Sequence, residues 1–529
     1  MRRRLLITAS ALAPWLAACQ TARKLIAPPL SNYREPHRPQ FHFTPSAGWM
    51  DKPCGLVFHQ GVYHLFYQYH PAATLWGAIH WGHATSRDLV RWGPQPIALE
   101  PEEERFAFSG STVVDTDNTA GFGAQALVAL YTRHDMAAEI DDRRDFQTQH
   151  LAYSVDGGRS WLAFDDEPVM PNPGAAKDFR DPKLLRHAPS RRWVAVVAAG
   201  DHVEFWVSRD LKRWEWKSDF GRRFGSHASA WESPDLFALP VENGGGGEQR
   251  WVLLQSMTAG SPNSGSGMQY FIGEFDGEQF VLDERFEREV PYGRGVWLDQ
   301  GRDHFGGLTW PFGSEGQRAL IAWMSNWDYA RQVPASSWRG AMTLPVTLSL
   351  RQTPLGLRLH TRPLPALETL RQQSASLAAA PIRGASIDLV TASGGIDPRA
   401  MELELVLEPG TMGRCGVELS NSRGERYRIG FDATQQLYYS DRTEAGDHRF
   451  SARFAGTVHT ALRPPGGGPL RLRLFFDASS AELFADDGAL QMTEVFFPSE
   501  DFTHATLFAE GPGAKLISGR VHRLARIWP

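Results

Sequence analysis

A short motif occurs four times in the first 280 residues of the chain and limits the folds that the chain can adopt. Residues 86–92 (SRDLVRW) are echoed by 154–161 (SVDGGRSW) and 208–214 (SRDLKRW), and more loosely by 273–280 (GEFDGEQF). Successive copies start about 55–70 residues apart, a spacing that suits a four-stranded propeller blade with long loops. The Asp and Gly residues favour a tight turn between strands, and the closing aromatic can fill the blade core. About 310 residues at this spacing predict five blades.

The hydrophobic pattern is that of strands. Between His42 and about Leu350, short alternating runs are separated by Gly, Pro, Asp and Asn turns, as in 63–69 (YHLFYQY), 127–131 (LVALY) and 193–197 (WVAVV). No long stretch has a helical period. This pattern predicts an all-β fold.

A second unit follows the repeats. Residues 361–378 contain prolines and spaced leucines that indicate a short helical connector. Alternation then resumes, as in 401–407 (MELELVL) and 471–476 (RLRLFF), with turns such as DDG at 486–488 between the runs. This is typical of a β-sandwich of about 150 residues.

The predicted organisation is therefore a five-bladed β-propeller followed by a C-terminal β-sandwich. We assign 39–352 to the propeller, 353–378 to a linker and 379–529 to the sandwich. Ahead of them, 1–24 is expected to be an export signal, and the Pro-rich segment 25–38 a tether.

The N-terminal segment predicts export and membrane attachment. Three arginines precede an apolar stretch that is too short to span a bilayer of about 30 Å. The stretch ends in LAAC at 16–19, which resembles a bacterial lipoprotein box in which Cys19 would be lipidated. An ordinary cleaved signal and a twin-arginine route are the alternatives. We expect a lipoprotein on the periplasmic side or the cell surface of a bacterium.

Composition excludes several classes of partner. The net charge of -5 over 529 residues argues against nucleic-acid binding, which needs a basic face. The three cysteines lack metal-ligand spacing, and the chain has no phosphate loop, HExxH or calcium-loop motif. We therefore expect neither a cofactor nor a metal. The 18 Trp, 30 Phe and 12 Tyr serve either as core or as surfaces for stacking sugars, and the sequence leaves the oligomeric state open.

Two acidic residues stand out as catalytic candidates. Asp181 lies in 179–182 (FRDP) and Glu232 in 231–235 (WESPD). Glycosidic cleavage needs one carboxylic acid that protonates the leaving oxygen and a second carboxylate that attacks or activates water. Partial desolvation beside Trp231 and Pro234 would raise the pKa of Glu232 and suit it to donate a proton. The alternative for each acid alone is a turn cap.

The motifs together resemble those of glycoside hydrolase family 32, the invertase, inulinase and levanase family. The resemblance covers about 40–350 in detail and the rest in architecture. It is carried by 49–55 (WMDKPCG), 63–69, 76–77 (WG), 80–83 (HWGH), 108–111 (FSGS), Gln149, 178–182 (DFRDP), 231–235, 323–327 (WMSNW) and 338–340 (WRG). The last two motifs argue against an inverting arabinose-cleaving propeller enzyme.

The resemblance implies a site in the central funnel of the propeller and a retaining mechanism. Glu232 would be the acid/base, and Asp181 would stabilise the transition state through fructose hydroxyls. The expected substrate is levan, inulin or sucrose, cleaved at a terminal fructose. The substrate-binding residues implied by the resemblance are Trp49, Gln68, Trp76, Phe108, Ser109, Arg180 and Trp327.

One motif departs from the family at the nucleophile. The family pattern WMNDPNG is WMDKPCG here, so Lys52 occupies the aspartate slot and Asp51 precedes it. Either Asp51 takes over as the nucleophile after a shift of the turn, or water attacks directly, or the protein only binds fructan. Because a buried unpaired ammonium is costly, we expect Lys52 to pair with Asp51 or Asp181.

Overall fold

The propeller is built from antiparallel meanders, each of which forms one blade. The computed structural model describes residues 31–529 except 175, 244–246, 314–315 and 383–385. The predicted export signal, Cys19 and the start of the tether lie outside the described residues. No helix in the described part is both long and apolar enough to cross a membrane.

The first three blades follow one another without interruption. Their strands, four to a blade, are β1 (Gly48–His59), β2 (Val62–His70), β3 (His80–Ser86), β4 (Gly93–Leu99); β5 (Arg105–Asp115), β6 (Ala126–Asp135), β7 (Gln147–Ser154), β8 (Leu162–Ala163); and β9 (Phe179–His187), β10 (Arg192–Ala199), β11 (Val203–Ser208), β12 (Glu215–Phe220). A one-turn helix α1 (Met136–Ile140) follows β6 and is capped by Asp135.

The last two blades complete the ring. Their strands are β13 (Trp231–Pro240), β14 (Gln249–Met257), β15 (Gly267–Phe275), β16 (Phe280–Leu282); and β17 (Phe305–Pro311), β18 (Arg318–Trp323), β20 (Val346–Thr353), β21 (Gly356–Pro363). Helix α2 (Glu284–Glu287) lies between them, and the short β19 (Trp338–Arg339) pairs in parallel with β1. The predicted five blades are confirmed.

The repeated motif forms the same turn in four blades. Each copy joins the third strand to the fourth, and its aspartate accepts hydrogen bonds from two backbone N–H groups of that turn. The aspartates are Asp88, Asp156, Asp210 and Asp276. The motif is therefore a turn signal, because the aspartate oxygen accepts the backbone N–H groups that have no strand partner in the turn.

Each innermost strand carries a bulge of one extra residue near its start, and β1 has a second one at 55–56. In β1, β5, β9, β13 and β17, four consecutive residues lie opposite only three residues of the adjacent strand. The extra residues fall at 51–52, 108–109, 181–182, 233–234 and 306–307. Such bulges bend the strand and re-aim side chains, and these five surround the propeller axis.

The C-terminal unit is a sandwich of two antiparallel sheets. In chain order its strands are β22 (Arg371–Leu377), β23 (Ala380–Pro381), β24 (Ile387–Asp388), β25 (Ala400–Pro409), β26 (Arg414–Ser420), β27 (Arg426–Asp432), β28 (Leu437–Glu444), β29 (His459–Leu462), β30 (Leu470–Asp477), β31 (Ser480–Ala485), β32 (Leu490–Val495), β33 (His504–Ala509) and β34 (Ala514–Leu524). One sheet contains β22, β23, β25, β30, β31, β32 and β34, and the other contains the rest. Helix α3 (Leu389–Ala392) and a 3₁₀ turn (Asp486–Gly488) complete it.

The predicted linker at 353–378 is shorter in the structure. Strand β21 extends the fifth blade to Pro363, and β22 already pairs with β34 of the sandwich. Only a 3₁₀ helix (Pro365–Leu370) connects the two units. Of the prolines that suggested a connector, Pro363 ends β21 and Pro365 begins the 3₁₀ helix, a position where a missing N–H costs no helical hydrogen bond.

Buried ion pairs join the propeller to the sandwich. Arg442 of β28 donates to Asp303 at 2.6 Å and to the Tyr329 hydroxyl at 2.8 Å. His42, just before β1, lies between Asp477 at 2.7 Å and Glu482 at 2.8 Å. Burial lowers the pKa of His42, but the two carboxylates outweigh it and raise the pKa to about 9.

The His42 contacts predict a stability that depends on pH. The folded pKa exceeds the unfolded value of 6.5, so the gain is full below pH 6.5 and is lost as the pH rises through 9. We expect His42→Gln to lower the free energy of unfolding by roughly 3 kcal/mol at pH 6 and by less at pH 9. Urea unfolding of wild type and variant at both pH values measures this difference, and His448→Gln, at an exposed histidine, is the control. A difference between wild type and variant that does not change with pH would contradict the prediction.

Candidate active site

A funnel opens at the ends of the innermost propeller strands. Its volume is about 540 Å³. The predicted site residues in its wall are Asp51, Gln68, Trp76, Phe108, Arg180, Glu232 and Trp327. They come from four different blades and the loop after β18. The structure therefore brings most of the predicted residues together.

Lys52 lies at the floor of this funnel and bridges two carboxylates. Its Nζ donates to Asp181 Oδ2 at 2.6 Å and to Glu232 Oε2 at 2.8 Å. Burial lowers the pKa of Lys52, but Asp181 and Glu232 outweigh it, and the pKa is raised above its ordinary value. The expected carboxylate partner is present, and Glu232 is a second one that the sequence did not indicate.

The fifth blade leaves room for the lysine. Gly306 lies at the bulge of β17 with φ +67°, and a Cβ built there would lie 2.4 Å from Lys52 Cβ. Non-bonded carbon atoms cannot lie that close together, so any larger residue at 306 would collide with Lys52. Phe305, the preceding residue, has its ring centroid 5.9 Å from Lys52 Nζ. The Lys52 side chain is therefore closely packed against β17 of the fifth blade.

Glu232 is held in its ionised form. Besides Lys52, Arg180 Nη2 donates to Glu232 Oε1 at 3.1 Å. Burial raises the pKa of Glu232, but Lys52 and Arg180 outweigh it and hold the pKa at about 2. The expectation of a raised pKa is therefore wrong, because two cations contact the carboxylate that the neighbouring apolar residues would otherwise desolvate. Arg180 also pairs with Asp178 instead of Asp181.

Asp51 shares the funnel with Lys52, although neighbouring residues of a regular strand point to opposite faces. Both lie in the β1 bulge, which turns both side chains towards the funnel. Asp51 Oδ2 accepts from Trp49 Nε1 at 2.8 Å, and Oδ1 accepts from the Lys52 backbone N–H at 2.7 Å. Burial raises the pKa of Asp51 to about 7 against these hydrogen bonds.

Asp181 is fixed from behind by the neighbouring blades. Its backbone N–H donates to Thr132 Oγ1 at 2.9 Å, and Thr132 donates to Gln149 Oε1 at 2.7 Å. The Ser233 backbone N–H donates to Asp181 Oδ2 at 3.0 Å. The residue has φ +59°, an unusual value for a side-chain-bearing residue. These contacts stabilise the strained backbone at the bulge.

Two predicted substrate-binding residues lie behind the wall rather than in it. Trp49 is fully buried; it donates to Asp51 and packs on Trp327, whose ring centroid is 6.0 Å away. Ser109 is buried beside Asp181 and Ser233, next to a void of about 10 Å³. The buried position of Trp49 does not support direct contact with a substrate, because Asp51 and Lys52 line this part of the funnel instead.

Other wall residues were not identified from the sequence. They are His134, Glu139, Gln147, Asp178, Thr258 and Arg331. His134 stacks on Phe108 at 4.2 Å and contacts Glu139 at 3.1 Å. Most of them lie in loops or at strand ends, without a motif of their own. Only Asp178 was within a quoted motif and could have been chosen. No group of three potential metal ligands occurs in the part of the chain that is described.

Comparison with known families identifies the chain. The Glycosyl hydrolases family 32 N-terminal domain matches residues 42–363, and the Glycosyl hydrolases family 32 C terminal matches 366–523. The chain belongs to glycosyl hydrolase family 32. The boundary between the two matches falls at the 3₁₀ helix that connects propeller and sandwich. The protein is accordingly a glycosidase of the β-fructosidase type.

Similar proteins cover nearly the whole chain. A levanase of Bacillus subtilis (strain 168) is 40% identical over 503 residues, which is 94% of this chain and 72% of the relative. The extracellular exo-inulinase inuE of Aspergillus ficuum is 34% identical over 522 residues, with 94% and 96% covered. The crystal structure of exo-inulinase from Aspergillus awamori superposes with a TM-score of 0.82 at 31% identity, covering 94% of this chain and 100% of that chain.

The Lys52 bridge predicts a stability cost when the ammonium is removed. Lys52→Met leaves Asp181 and Glu232 buried without their shared cation, so we expect a loss of roughly 3–5 kcal/mol in the free energy of unfolding at pH 7. In the wild type, the gain from the lowered Glu232 pKa is present above 4.5 and is lost as pH falls through about 2. The variant should recover at pH 4, where its freed carboxyl groups can bind protons. Urea unfolding at pH 7 and pH 4 measures both.

The matched control is Lys515→Met. Lys515 also pairs with a carboxylate, Glu408, but both side chains are more than half exposed. Its loss should stay within about 0.5 kcal/mol. Equal losses for the two lysine variants would show that Lys52 does not stabilise the funnel floor.

Proposed function

We propose that this protein is a retaining glycosidase that releases terminal fructose from levan, inulin or sucrose. The observation that carries the proposal is the convergence of Asp181 and Glu232 on one point of the funnel floor, where both contact the same nitrogen. The aromatic wall of Trp76, Phe108 and Trp327 suits the stacking of a sugar ring. Relatives named levanase and exo-inulinase support the substrate class.

In the proposed reaction, Glu232 protonates the glycosidic oxygen while a carboxylate attacks the anomeric carbon. Water then hydrolyses the fructosyl ester, with Glu232 as the base. Asp181 would accept hydrogen bonds from ring hydroxyls as positive charge develops on the sugar. We assign the attack to Asp51, because it is the remaining carboxylate of the β1 bulge in the funnel wall.

Lys52 slows the first step of this reaction. With a pKa of about 2, Glu232 carries no proton at neutral pH and cannot act as an acid until the ammonium moves. A cation beside the developing oxocarbenium ion is also unfavourable by simple repulsion. General acid catalysis contributes about 100- to 10,000-fold, so we expect turnover far below that of an enzyme with a free acid.

A second function is favoured by the same bridge. If Asp51 does not attack, the funnel would hold a fructosyl group without cleaving it, and the protein would capture fructan. Both Asp51 oxygens already accept hydrogen bonds, from Trp49 and from the Lys52 backbone. This favours the binding function, because each hydrogen bond withdraws negative charge from the oxygen that would attack and makes Asp51 a weaker nucleophile.

Two substitutions at one position separate these functions. Lys52→Met removes the cation and leaves Asp51 as the only candidate nucleophile, whereas Lys52→Asp adds a carboxylate. If Asp51 attacks, both variants should release fructose at least about tenfold faster than the wild type, because Glu232 regains its proton. Free fructose from levan, inulin and sucrose is the measurement.

The control for these assays is Glu232→Gln, which has the same size but cannot donate a proton. Wild-type release above this control supports the hydrolase. If Lys52→Met stays at the level of the control and only Lys52→Asp gains activity, Asp51 is not the nucleophile. The capture function then stands, provided that calorimetry shows wild-type fructan binding.

We further propose that the protein is exported and anchored by a lipid on Cys19. The support is the LAAC box at 16–19 and the relatives named as extracellular. In a bacterial host, the wild type should incorporate labelled palmitate and fractionate with membranes. Cys19→Ser should lose the label, because position 19 then lacks the thiol that carries the lipid. Equal palmitate labelling of the two proteins would contradict the lipid anchor.

A further inference from the structure

Arg331 lies at the mouth of the funnel between two tryptophans. Its guanidinium carbon is 5.5 Å from the ring centroid of Trp76 and 5.7 Å from that of Trp327. The residue is exposed and lines the cavity. Cation–π contacts of this kind hold a guanidinium over an indole while its edges stay in solvent. Arg331 therefore faces any sugar that projects from the funnel.

The turn that presents Arg331 is firmly held. The Ala330 N–H donates to the Asn326 carbonyl at 2.8 Å, and the Arg331 carbonyl accepts from Arg339. The Trp327 N–H donates to Ser266 Oγ at 2.9 Å. Tyr329 and Ala330 are buried beneath the turn. The backbone that carries Arg331 is thus held in place at the funnel mouth.

The charge of Arg331 has no partner among the described residues. No carboxylate of that part of the chain lies within 4.0 Å of its nitrogens, whereas Arg180, deeper in the funnel, pairs with both Asp178 and Glu232. An arginine has five N–H donors in a planar fork. Two nitrogens of Arg180 donate to carboxylates at the funnel floor, whereas the side-chain nitrogens of Arg331 have no acceptor among the described residues.

We propose that Arg331 binds hydroxyl groups of the sugar on the leaving side of the scissile bond. The inference rests on the proposed function, in which the terminal fructosyl group occupies the floor beside Asp181 and Glu232. Such a group is joined to its neighbour through the oxygen that Glu232 protonates, so the neighbour extends towards the mouth. The planar guanidinium fork beside these two indoles can donate two parallel hydrogen bonds to a pair of hydroxyls.

The test compares a ligand that lacks the leaving-side sugar with ligands that have it. Binding of fructose, 1-kestose and 6-kestose is measured by calorimetry in a Glu232→Gln background, which prevents turnover. We expect Arg331→Gln to leave fructose affinity within about twofold and to weaken at least one kestose by roughly tenfold, which is 1.4 kcal/mol. Arg331→Lys keeps the charge over the indoles but loses the fork, so it should retain fructose affinity and lose most of the kestose affinity.

Each other outcome has a definite meaning. Equal losses for fructose and both kestoses would show that Arg331 only supports the indoles, and unchanged affinities would show no contact; either result overturns the inference. If the Glu232→Gln parent binds none of the three sugars, the proposed function fails and the inference with it. Arg449→Gln, at an exposed arginine of the sandwich, is the control and should change nothing.

Discussion

The contact of one buried ammonium with two carboxylates organises the centre of this propeller. Asp181 and Glu232 come from adjacent blades and contact the same nitrogen. Two negative charges so close together would repel each other at low dielectric. Lys52 offsets that repulsion with hydrogen bonds of 2.6 and 2.8 Å. The same contact keeps Glu232 ionised at neutral pH. What holds the funnel floor together is therefore also what opposes acid catalysis there.

The five bulges explain how a regular ring of strands produces an irregular, polar centre. A regular strand would direct alternate residues into the blade core and present one side chain at each level. The extra residue in each innermost strand puts Asp51 with Lys52 in one blade and reverses the backbone of Asp181 in another. Charged groups thus meet at the axis while the blade cores stay apolar. Strain at the bulges is tolerated because neighbouring blades bind them, as Thr132 and Ser233 bind Asp181.

The sequence predicted the five blades and the sandwich because both depend on local signals. The recurring aspartate turn and the two-residue alternation can be read without knowing what lies across the core. The lowered pKa of Glu232 could not be predicted, because it depends on contacts of Glu232 with Lys52 of the first blade and Arg180 of the third, which are distant from it in the sequence. Arg331 and His134 were not identified as funnel residues, because they belong to no motif and reach the funnel only through the folding of the chain. The buried position of Trp49 follows from a bulge that leaves no mark in the residue pattern.

Gly306 constrains its own position without constraining position 52. The atom nearest to a Cβ built on residue 306 is the Lys52 Cβ, at 2.4 Å, and every amino acid except glycine has that atom. The φ of +67° at 306 also favours glycine. A lysine and an aspartate at position 52 therefore make the same demand on the fifth blade. The charge at the funnel floor can thus be inverted by one replacement, with no compensating change at 306.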